Sequence, residues 1–243
     1  MTYCVAIKLN EGIVCLSDTR TNAGIDTISK YRKMFTWQRD GDRVITMMTA
    51  GNLAITQAVI SLLNENIDHA EDGIETLFTA PTMFRVAEIV GDAMRIVMNR
   101  YGPGLAQAGE SATSSIVVAG QRAGGDMRLF HVYSAGNFIE ATDDTPYFQI
   151  GEHKYGKPIL DRVIDPQTPL NVGITATFLS MDSTLRSNLS VGMPLDLAVM
   201  KKDTIGFDQL RRIEEGDEAW AQMSEAWSQA LRDAFQQMTA IDV

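Results

Sequence analysis

The chain has 243 residues, 45% of them apolar, and a formal net charge of −10 at pH 7. This length and apolar fraction suit one globular domain, and no repeat, low-complexity segment or linker divides it. The acidic balance argues against a nucleic-acid-binding protein, which usually carries clustered Lys and Arg. No apolar run approaches the roughly 18 residues that span a bilayer, and the polar start lacks the pattern of a secretion signal. We therefore expect a cytoplasmic protein without a membrane partner.

The cysteines and histidines have no spacing typical of metal ligands. Cys4 and Cys15 fall at apolar-facing strand positions and are predicted to be buried thiols. His69, His131 and His153 are scattered, which disfavours a zinc site or a Ser-His-Asp site. No GxxxxGK[ST] motif occurs, so any nucleotide-driven unfoldase would be a separate polypeptide. We expect no cofactor and no metal.

Alternating apolar residues predict a β-hairpin at the start of the chain, with strands over 3–9 and 13–18. The polar segment 19–24 is expected to leave the sheet. The later elements follow from apolar spacing at periods of 2 or 3.6 residues. In chain order they are strands over 34–37 and 43–49, helices over 53–67 and 82–100, strands over 115–120, 127–133, 137–141 and 147–150, helices over 153–163 and 170–185, a strand over 194–201 and a helix over 214–238.

Two features concern the ends of these helices. The sequence Tyr101-Gly102-Pro103-Gly104 is expected to stop the second helix. The C-terminal helix has an apolar stripe that can cover its own sheet or a neighbouring subunit.

Strands and helices come in separate blocks, which indicates helix layers packed on sheets rather than a βαβ alternation. We predict one domain over 1–243 with a C-terminal helical extension at about 214–243.

Thr2 is a candidate nucleophile. If Met1 is removed, Thr2 carries a hydroxyl and a free α-amine, which titrates at about 7.7 to 8.0 and can take the hydroxyl proton. Threonine is small enough for a methionine aminopeptidase to remove the residue before it. The hairpin returns Asp18 to within a few residues of Thr2.

Two more residues complete a candidate catalytic group. A cation at Lys33 would lower the pKa values of the amine and hydroxyl and stabilise an alkoxide, while Asp18 holds that cation in place. Gly51 precedes a predicted helix, so its N–H can donate to an oxyanion with help from the positive helix end. Each of these residues also has an ordinary structural explanation when it is considered alone.

Together these residues and their surroundings resemble the proteasome-type N-terminal-nucleophile hydrolases, and most of all the bacterial ancestral β-subunit group called Anbu. The resemblance rests on Ser17-Asp18-Thr19-Arg20, Arg32-Lys33-Met34, Ala50-Gly51-Asn52-Leu53-Ala54 and Thr56-Gln57-Ala58-Val59, and more weakly on 134–141, 148–151 and 186–192. It implies an α+β fold, a four-layer αββα sandwich, that assembles into a ring or an open helical array. It further implies a threonine peptidase that cleaves a peptide or protein substrate through an acyl-enzyme.

The resemblance also assigns three residues after position 150. Ser190 matches a serine that supports the amine. Glu152 stands where the family has a serine, and Ser187 stands where it has an aspartate. A carboxylate at Glu152 would favour the ammonium form of the amine, which cannot act as a base.

Two alternatives remain open at this stage. One is an N-terminal-nucleophile amidohydrolase of a small amide. The other is a non-proteolytic assembly or scaffold protein. Glu152 and Ser187 favour it, and the joint presence of Thr2, Asp18, Lys33 and Gly51 opposes it. The residues expected to line the acyl-side pocket mix polar and apolar character and indicate no cleavage preference; they are Asn22, Tyr31, Thr49 and Leu53.

Overall fold

The predicted N-terminal hairpin is the first element of the fold. The computed structural model describes residues 2–23, 27–70 and 73–238, so Met1 lies outside the described residues. In chain order the elements are β1 (Tyr3–Leu9), β2 (Gly12–Asp18), β3 (Arg20–Ala23), β4 (Thr27–Lys30), β5 (Met34–Arg39), β6 (Arg43–Gly51), α1 (Leu53–Asp68), α2 (Met83–Gln107), β7 (Ser114–Arg122), β8 (Arg128–Val132), β9 (Phe138–Glu140), β10 (Tyr147–Gly151), α3 (Lys157–Val163), α4 (Leu170–Ser187), β11 (Leu195–Lys201), β12 (Gln209–Ile213) and α5 (Glu218–Gln237).

Two five-stranded antiparallel sheets form the centre of the molecule. The N-terminal sheet has the strand order β10-β1-β2-β11-β12, and the second sheet has the order β5-β6-β7-β8-β9. Helices α1 and α2 share an apolar core with the second sheet, and α3 and α4 share one with the N-terminal sheet. A third core lies between the two sheets. The result is the expected α+β sandwich with four layers in the order αββα.

Strand β1 shows why the start of the chain reads as almost continuously apolar. Tyr3 and Val5 point to the core under α3 and α4, whereas Cys4 and Ala6 point into the core between the sheets. A strand buried on both faces needs apolar residues at successive positions. The prediction that Cys4 and Cys15 are buried thiols is confirmed.

The register of β1 with its two neighbours places the start of the chain. Cys4 pairs with Ser17 on β2, and Tyr3 pairs with Gly151 on β10. The first residues of β1, the last residues of β2 and the last residues of β10 therefore lie side by side at one end of the strands of the N-terminal sheet.

The prediction that α2 stops at Tyr101-Gly102-Pro103-Gly104 was wrong, because the helix continues to Gln107. Pro103 lacks the N–H that would donate to the carbonyl of Asn99. Because Asn99 is exposed, water can donate a hydrogen bond to that carbonyl instead. Leu105 packs against the core under α1 and α2. The backbone turns away two residues after Gln107, at Gly109, where φ is +74°, and the Glu110 N–H donates to the Leu105 carbonyl at 2.9 Å.

Three strands, β3, β4 and β12, were not predicted. Residues 20–23 do leave the five-stranded sheet, but they pair with Thr27–Lys30 as a two-stranded sheet. β12 pairs with β11 at the edge of the N-terminal sheet, and only its last residue, Ile213, is buried. Short polar strands of this kind lack the apolar alternation that reveals a half-buried strand.

Helix α5 leaves most of its apolar stripe uncovered. It begins after Asp217, whose carboxylate accepts the Trp220 N–H at 2.9 Å, and the Trp220 ring packs edge-on against Phe178 of α4. Further along, Leu231 is 50% exposed and Phe235 80% exposed. Packing on the chain's own core is thus limited to the first turns of α5. Over the described ranges, no helix is long and apolar enough to cross a membrane.

Candidate active site

A buried ion pair lies at the end of the N-terminal sheet where strand β1 begins. Lys33 Nζ is 2.7 Å from Asp18 Oδ1, and the two side chains are 4% and 0% exposed. Lys33 Nζ also donates to the Arg20 carbonyl at 2.5 Å. The Lys33 carbonyl accepts the Thr49 N–H at 3.0 Å, so β6 fixes the backbone from which the lysine extends. The ammonium is therefore held in one position.

The Asp18 carboxylate is bound on both oxygens. Oδ1 accepts the Tyr3 N–H at 3.0 Å in addition to the Lys33 ammonium, and Oδ2 accepts the Gly192 N–H at 3.2 Å. Burial raises the pKa of Asp18 above its ordinary value, and the contacts from Lys33, Tyr3 and Gly192 oppose that rise. Three donors in fixed positions leave the carboxylate little freedom to rotate.

Thr2 lies beside this ion pair. The N–H of the next residue, Tyr3, binds the same Asp18 oxygen as Lys33 does. The Thr2 carbonyl accepts the Glu152 N–H at 2.7 Å, which extends the pairing of β1 with β10 by one residue. Thr2 itself is 9% exposed. The backbone of Thr2 is therefore hydrogen-bonded to Glu152, and the next residue, Tyr3, is hydrogen-bonded to Asp18.

Gly151 permits this close approach of the two chains. Its φ is +83°, a left-handed conformation that favours glycine. A Cβ built on Gly151 would overlap the Thr2 carbonyl oxygen. No other residue type fits at this position without displacing Thr2.

We expect Gly151→Ala to displace Thr2 and to reduce any reactivity of its hydroxyl by about 10²-fold, since a misplacement of about 1 Å has effects of that size. Gly124→Ala is the matched control, because Gly124 has a φ of +73° but nothing within 4 Å of its Cβ position. Rates of labelling by a threonine-directed β-lactone measure the effect. Equal rates for the two variants would contradict this view of Gly151.

Gly51 occupies the strand-to-helix turn that the sequence predicted. It ends β6 with a φ of +102° and is exposed. Asn52 caps α1, and its side-chain oxygen accepts the Ile55 N–H at 3.2 Å. A Cβ on Gly51 would overlap the Thr113 carbonyl oxygen. A backbone N–H at the positive end of a helix can stabilise a developing negative charge.

The three residues assigned by resemblance have different surroundings. Ser190 is in the turn after α4, where its N–H donates to Asn188 Oδ1 at 2.9 Å, and this turn leads to Gly192. Glu152 has its backbone against Thr2, and its side chain is 18% exposed and 3.8 Å from Lys154 Nζ. Ser187 is the last residue of α4 and is exposed.

The residues expected to line the acyl-side pocket are unevenly exposed. Tyr31 is 41% exposed and Thr49 is buried, while Leu53 at the start of α1 is half-buried. The side chain of Asn22 lies outside the described residues. Their mixture of polar and apolar groups still favours no one side chain in a substrate.

Sequence reasoning missed three groups that hold the site together. They are the Gly192 N–H on Asp18, the Arg20 carbonyl on Lys33, and Gly151 against Thr2. The first two act through main-chain atoms, which residue type does not reveal. Gly192 and Gly151 both fall in strings that resemble the proteasome-type family, and that was the one signal available for them.

Comparison with protein families identifies the class. A model of the proteasome subunit family matches residues 2–200. The chain belongs to the proteasome subunit family. The comparison with curated protein sequences gives no match.

Solved structures of Anbu, the ancestral β-subunit, are similar over the whole chain. A Gly-1 mutant of Anbu from Hyphomicrobium sp. strain MC1 is 49% identical, with a TM-score of 0.92 and complete coverage of both chains. Anbu from Yersinia bercovieri is 41% identical, with a TM-score of 0.92 and 99% of each chain covered. The helical assembly of the Anbu complex from Pseudomonas aeruginosa is 43% identical, with a TM-score of 0.93 and 99% and 98% covered. The residues beyond 200, which the family model leaves unmatched, are thus covered by these relatives.

Proposed function

We propose that the protein is a threonine-type amide hydrolase that uses Thr2 as an N-terminal nucleophile and acts on peptide or protein substrates. The observation that carries the proposal is the shared acceptor: one oxygen of Asp18 binds both the Lys33 ammonium and the amide of the residue after Thr2. This sharing keeps a cation beside the threonine. The proposal requires the removal of Met1, so that the Thr2 amine is free.

The reaction begins with attack of Thr2 Oγ1 on the substrate carbonyl carbon. The hydroxyl proton passes to the Thr2 amine, directly or through one water, and then to the leaving amine as the amide C–N bond breaks. Lys33 lowers the pKa of the hydroxyl and stabilises its oxygen, while Asp18 keeps Lys33 oriented. The Gly51 N–H stabilises the oxyanion, a contribution of about 10²- to 10³-fold in rate for a donor of this kind. Water then hydrolyses the ester, with the amine as base.

The test is the intact mass of the protein before and after treatment with a threonine-directed β-lactone. We expect the untreated chain to lack Met1. The treated chain is expected to gain the full mass of one reagent molecule, because the hydroxyl opens the lactone ring and no atoms are lost. A chain with a free Thr2 amine that resists the reagent would contradict the proposal.

One observation favours the scaffold alternative. Glu152 lies next to the Thr2 backbone with its side chain largely buried, and a carboxylate there would hold the amine as ammonium. A protein without adduct formation at any pH up to about 9, well above the amine pKa, would agree with the scaffold function instead.

We further propose that the chain assembles with copies of itself through the exposed face of α5. A solved relative is a helical assembly. Leu231 and Phe235 of α5, and Met238 directly after it, are exposed to solvent. Burying such side chains is favourable by about 1.5–3 kcal/mol each. A contact between unlike surfaces of successive subunits generates rings or open helices.

The double variant Leu231→Asp/Phe235→Asp is therefore expected to sediment as smaller species than the wild type at the same concentration. Ile96→Asp is the matched control, since Ile96 is also 50% exposed but lies on α2. Analytical ultracentrifugation measures both. Unchanged assembly of the double variant would remove α5 from the interface.

A further inference from the structure

The residue after the proposed nucleophile has an unusual environment. Tyr3 is fully buried, and its ring lies in the core between the N-terminal sheet and helices α3 and α4. Among the residues that the structure describes, it is the largest fully buried side chain. A smaller aliphatic residue would also suit a strand facing this core, so the phenol group calls for a separate explanation.

The phenol oxygen is enclosed by three elements. Tyr3 Oη is 2.6 Å from Ser180 Oγ on α4, and it accepts a hydrogen bond from Gln149 Nε2 on β10 at 2.5 Å. Gly156, just before α3, packs over this pair: a Cβ there would overlap Ser180 Oγ and lie 2.7 Å from Tyr3 Oη. Burial raises the pKa of Tyr3 well above its ordinary value, so the hydroxyl keeps its proton.

The other end of the same residue reaches the ion pair. The Tyr3 N–H donates to Asp18 Oδ1 at 3.0 Å, and Lys33 Nζ binds that oxygen at 2.7 Å. Tyr3 is thus anchored at its main chain to the charged pair and at its side-chain tip to a helix and a strand. Thr2 is attached directly to it.

We propose that Tyr3 is a positioning residue, whose phenol, held by Ser180 and Gln149, fixes the start of β1 and thereby the placement of Thr2 against Lys33 and Asp18. The catalytic consequence rests on the proposed function. The Tyr3 ring packs in the core under helices α3 and α4, while the residue meets the ion pair through its main-chain N–H. Its effect is therefore on the geometry of attack and not on substrate binding.

Three variants separate this role from general packing. Tyr3→Phe removes only the hydroxyl, and it leaves Ser180 and Gln149 without their shared partner. Ser180→Ala removes one anchor and keeps the tyrosine. Tyr147→Phe is the matched control, because it makes the same chemical change on β10, where the hydroxyl bonds Lys157 and Asp161 at the surface.

The first measurement is the rate of β-lactone labelling as a function of reagent concentration, which yields the apparent affinity and the maximal rate separately. We expect Tyr3→Phe and Ser180→Ala to lower the maximal rate about tenfold to a hundredfold and to leave the apparent affinity unchanged. Tyr147→Phe is expected to match the wild type in both. Wild-type maximal rates in the first two variants, or a loss expressed in affinity alone, would overturn the proposal.

The second measurement does not depend on reactivity. Hydrogen exchange of the N-terminal peptide reports the protection of the Tyr3 amide, which is bonded to Asp18. We expect faster exchange in Tyr3→Phe and Ser180→Ala than in Tyr147→Phe. A wild-type protein that fails to react would contradict the proposed function only. Unchanged protection of the Tyr3 amide in both Tyr3→Phe and Ser180→Ala would contradict the positioning role.

Discussion

Thr2→Ala is expected to abolish covalent labelling by a threonine-directed β-lactone or boronate, because the variant keeps the α-amine but has no oxygen to attack with. The backbone contacts of residue 2 run through its carbonyl to Glu152 and through the Tyr3 amide to Asp18, and alanine keeps both. The fold and the ion pair are therefore preserved. Mass spectrometry of the treated protein measures the loss.

Thr2→Ser is the control for this variant. Serine retains the hydroxyl and the amine, so it is expected to label, at a reduced rate because it lacks the methyl group that restricts χ1 of threonine. Labelling of the alanine variant at the wild-type level would show that the reagent reacts elsewhere. Such a result would exclude Thr2 as the nucleophile.

Lys33→Met is expected to have two large effects. It leaves Asp18 buried without its cation, and breaking a buried pair in this way lowers the free energy of unfolding by about 3–5 kcal/mol. It also removes the charge that activates the Thr2 hydroxyl, with an expected loss of labelling of about 10²-fold or more. Denaturant unfolding and β-lactone kinetics measure the two effects separately.

Two further variants distinguish stability from chemistry. Lys33→Met/Asp18→Asn, which removes both charges and keeps a side-chain oxygen to accept the Tyr3 N–H, is expected to recover part of the stability but none of the labelling. Lys30→Met removes an exposed pair with Glu215, 3.3 Å apart, and is expected to change stability by less than about 1 kcal/mol. If the double variant labelled at the wild-type rate, Lys33 would have no role in activation.

The relation between Thr2 and Asp18 was predictable because it is local. A hairpin with a two-residue turn, here Asn10 and Glu11 between the paired Leu9 and Gly12, sets its own register. The observed pairing of Cys4 with Ser17 places residues 2 and 18 at the same end. The prediction of Lys33 and Gly51 required chemistry and resemblance in addition, since neither position follows from periodicity.

The supporting contacts were not predictable, because they depend on strands that meet across long stretches of chain. Gly192 reaches Asp18 only because β11 pairs with β2, with Leu195 opposite Asp18. Gly151 meets Thr2 only through the register of β10 with β1. Nothing local encodes either register.

The predicted stop at Pro103 failed for a different reason. Proline breaks a helix when it leaves a buried carbonyl without a donor. The carbonyl that loses its donor to Pro103 belongs to Asn99, which is exposed to solvent. The helix ends at Gln107, two residues before the backbone becomes left-handed at Gly109.

The most direct measurement is tandem mass spectrometry of the N-terminal peptide after treatment of the wild-type protein with the β-lactone. We predict a peptide that begins at Thr2, has a free α-amine and carries the acyl group as an ester on the threonine oxygen. A peptide that still begins with Met1 while the adduct lies on another residue, or a free Thr2 that remains unmodified, would contradict it.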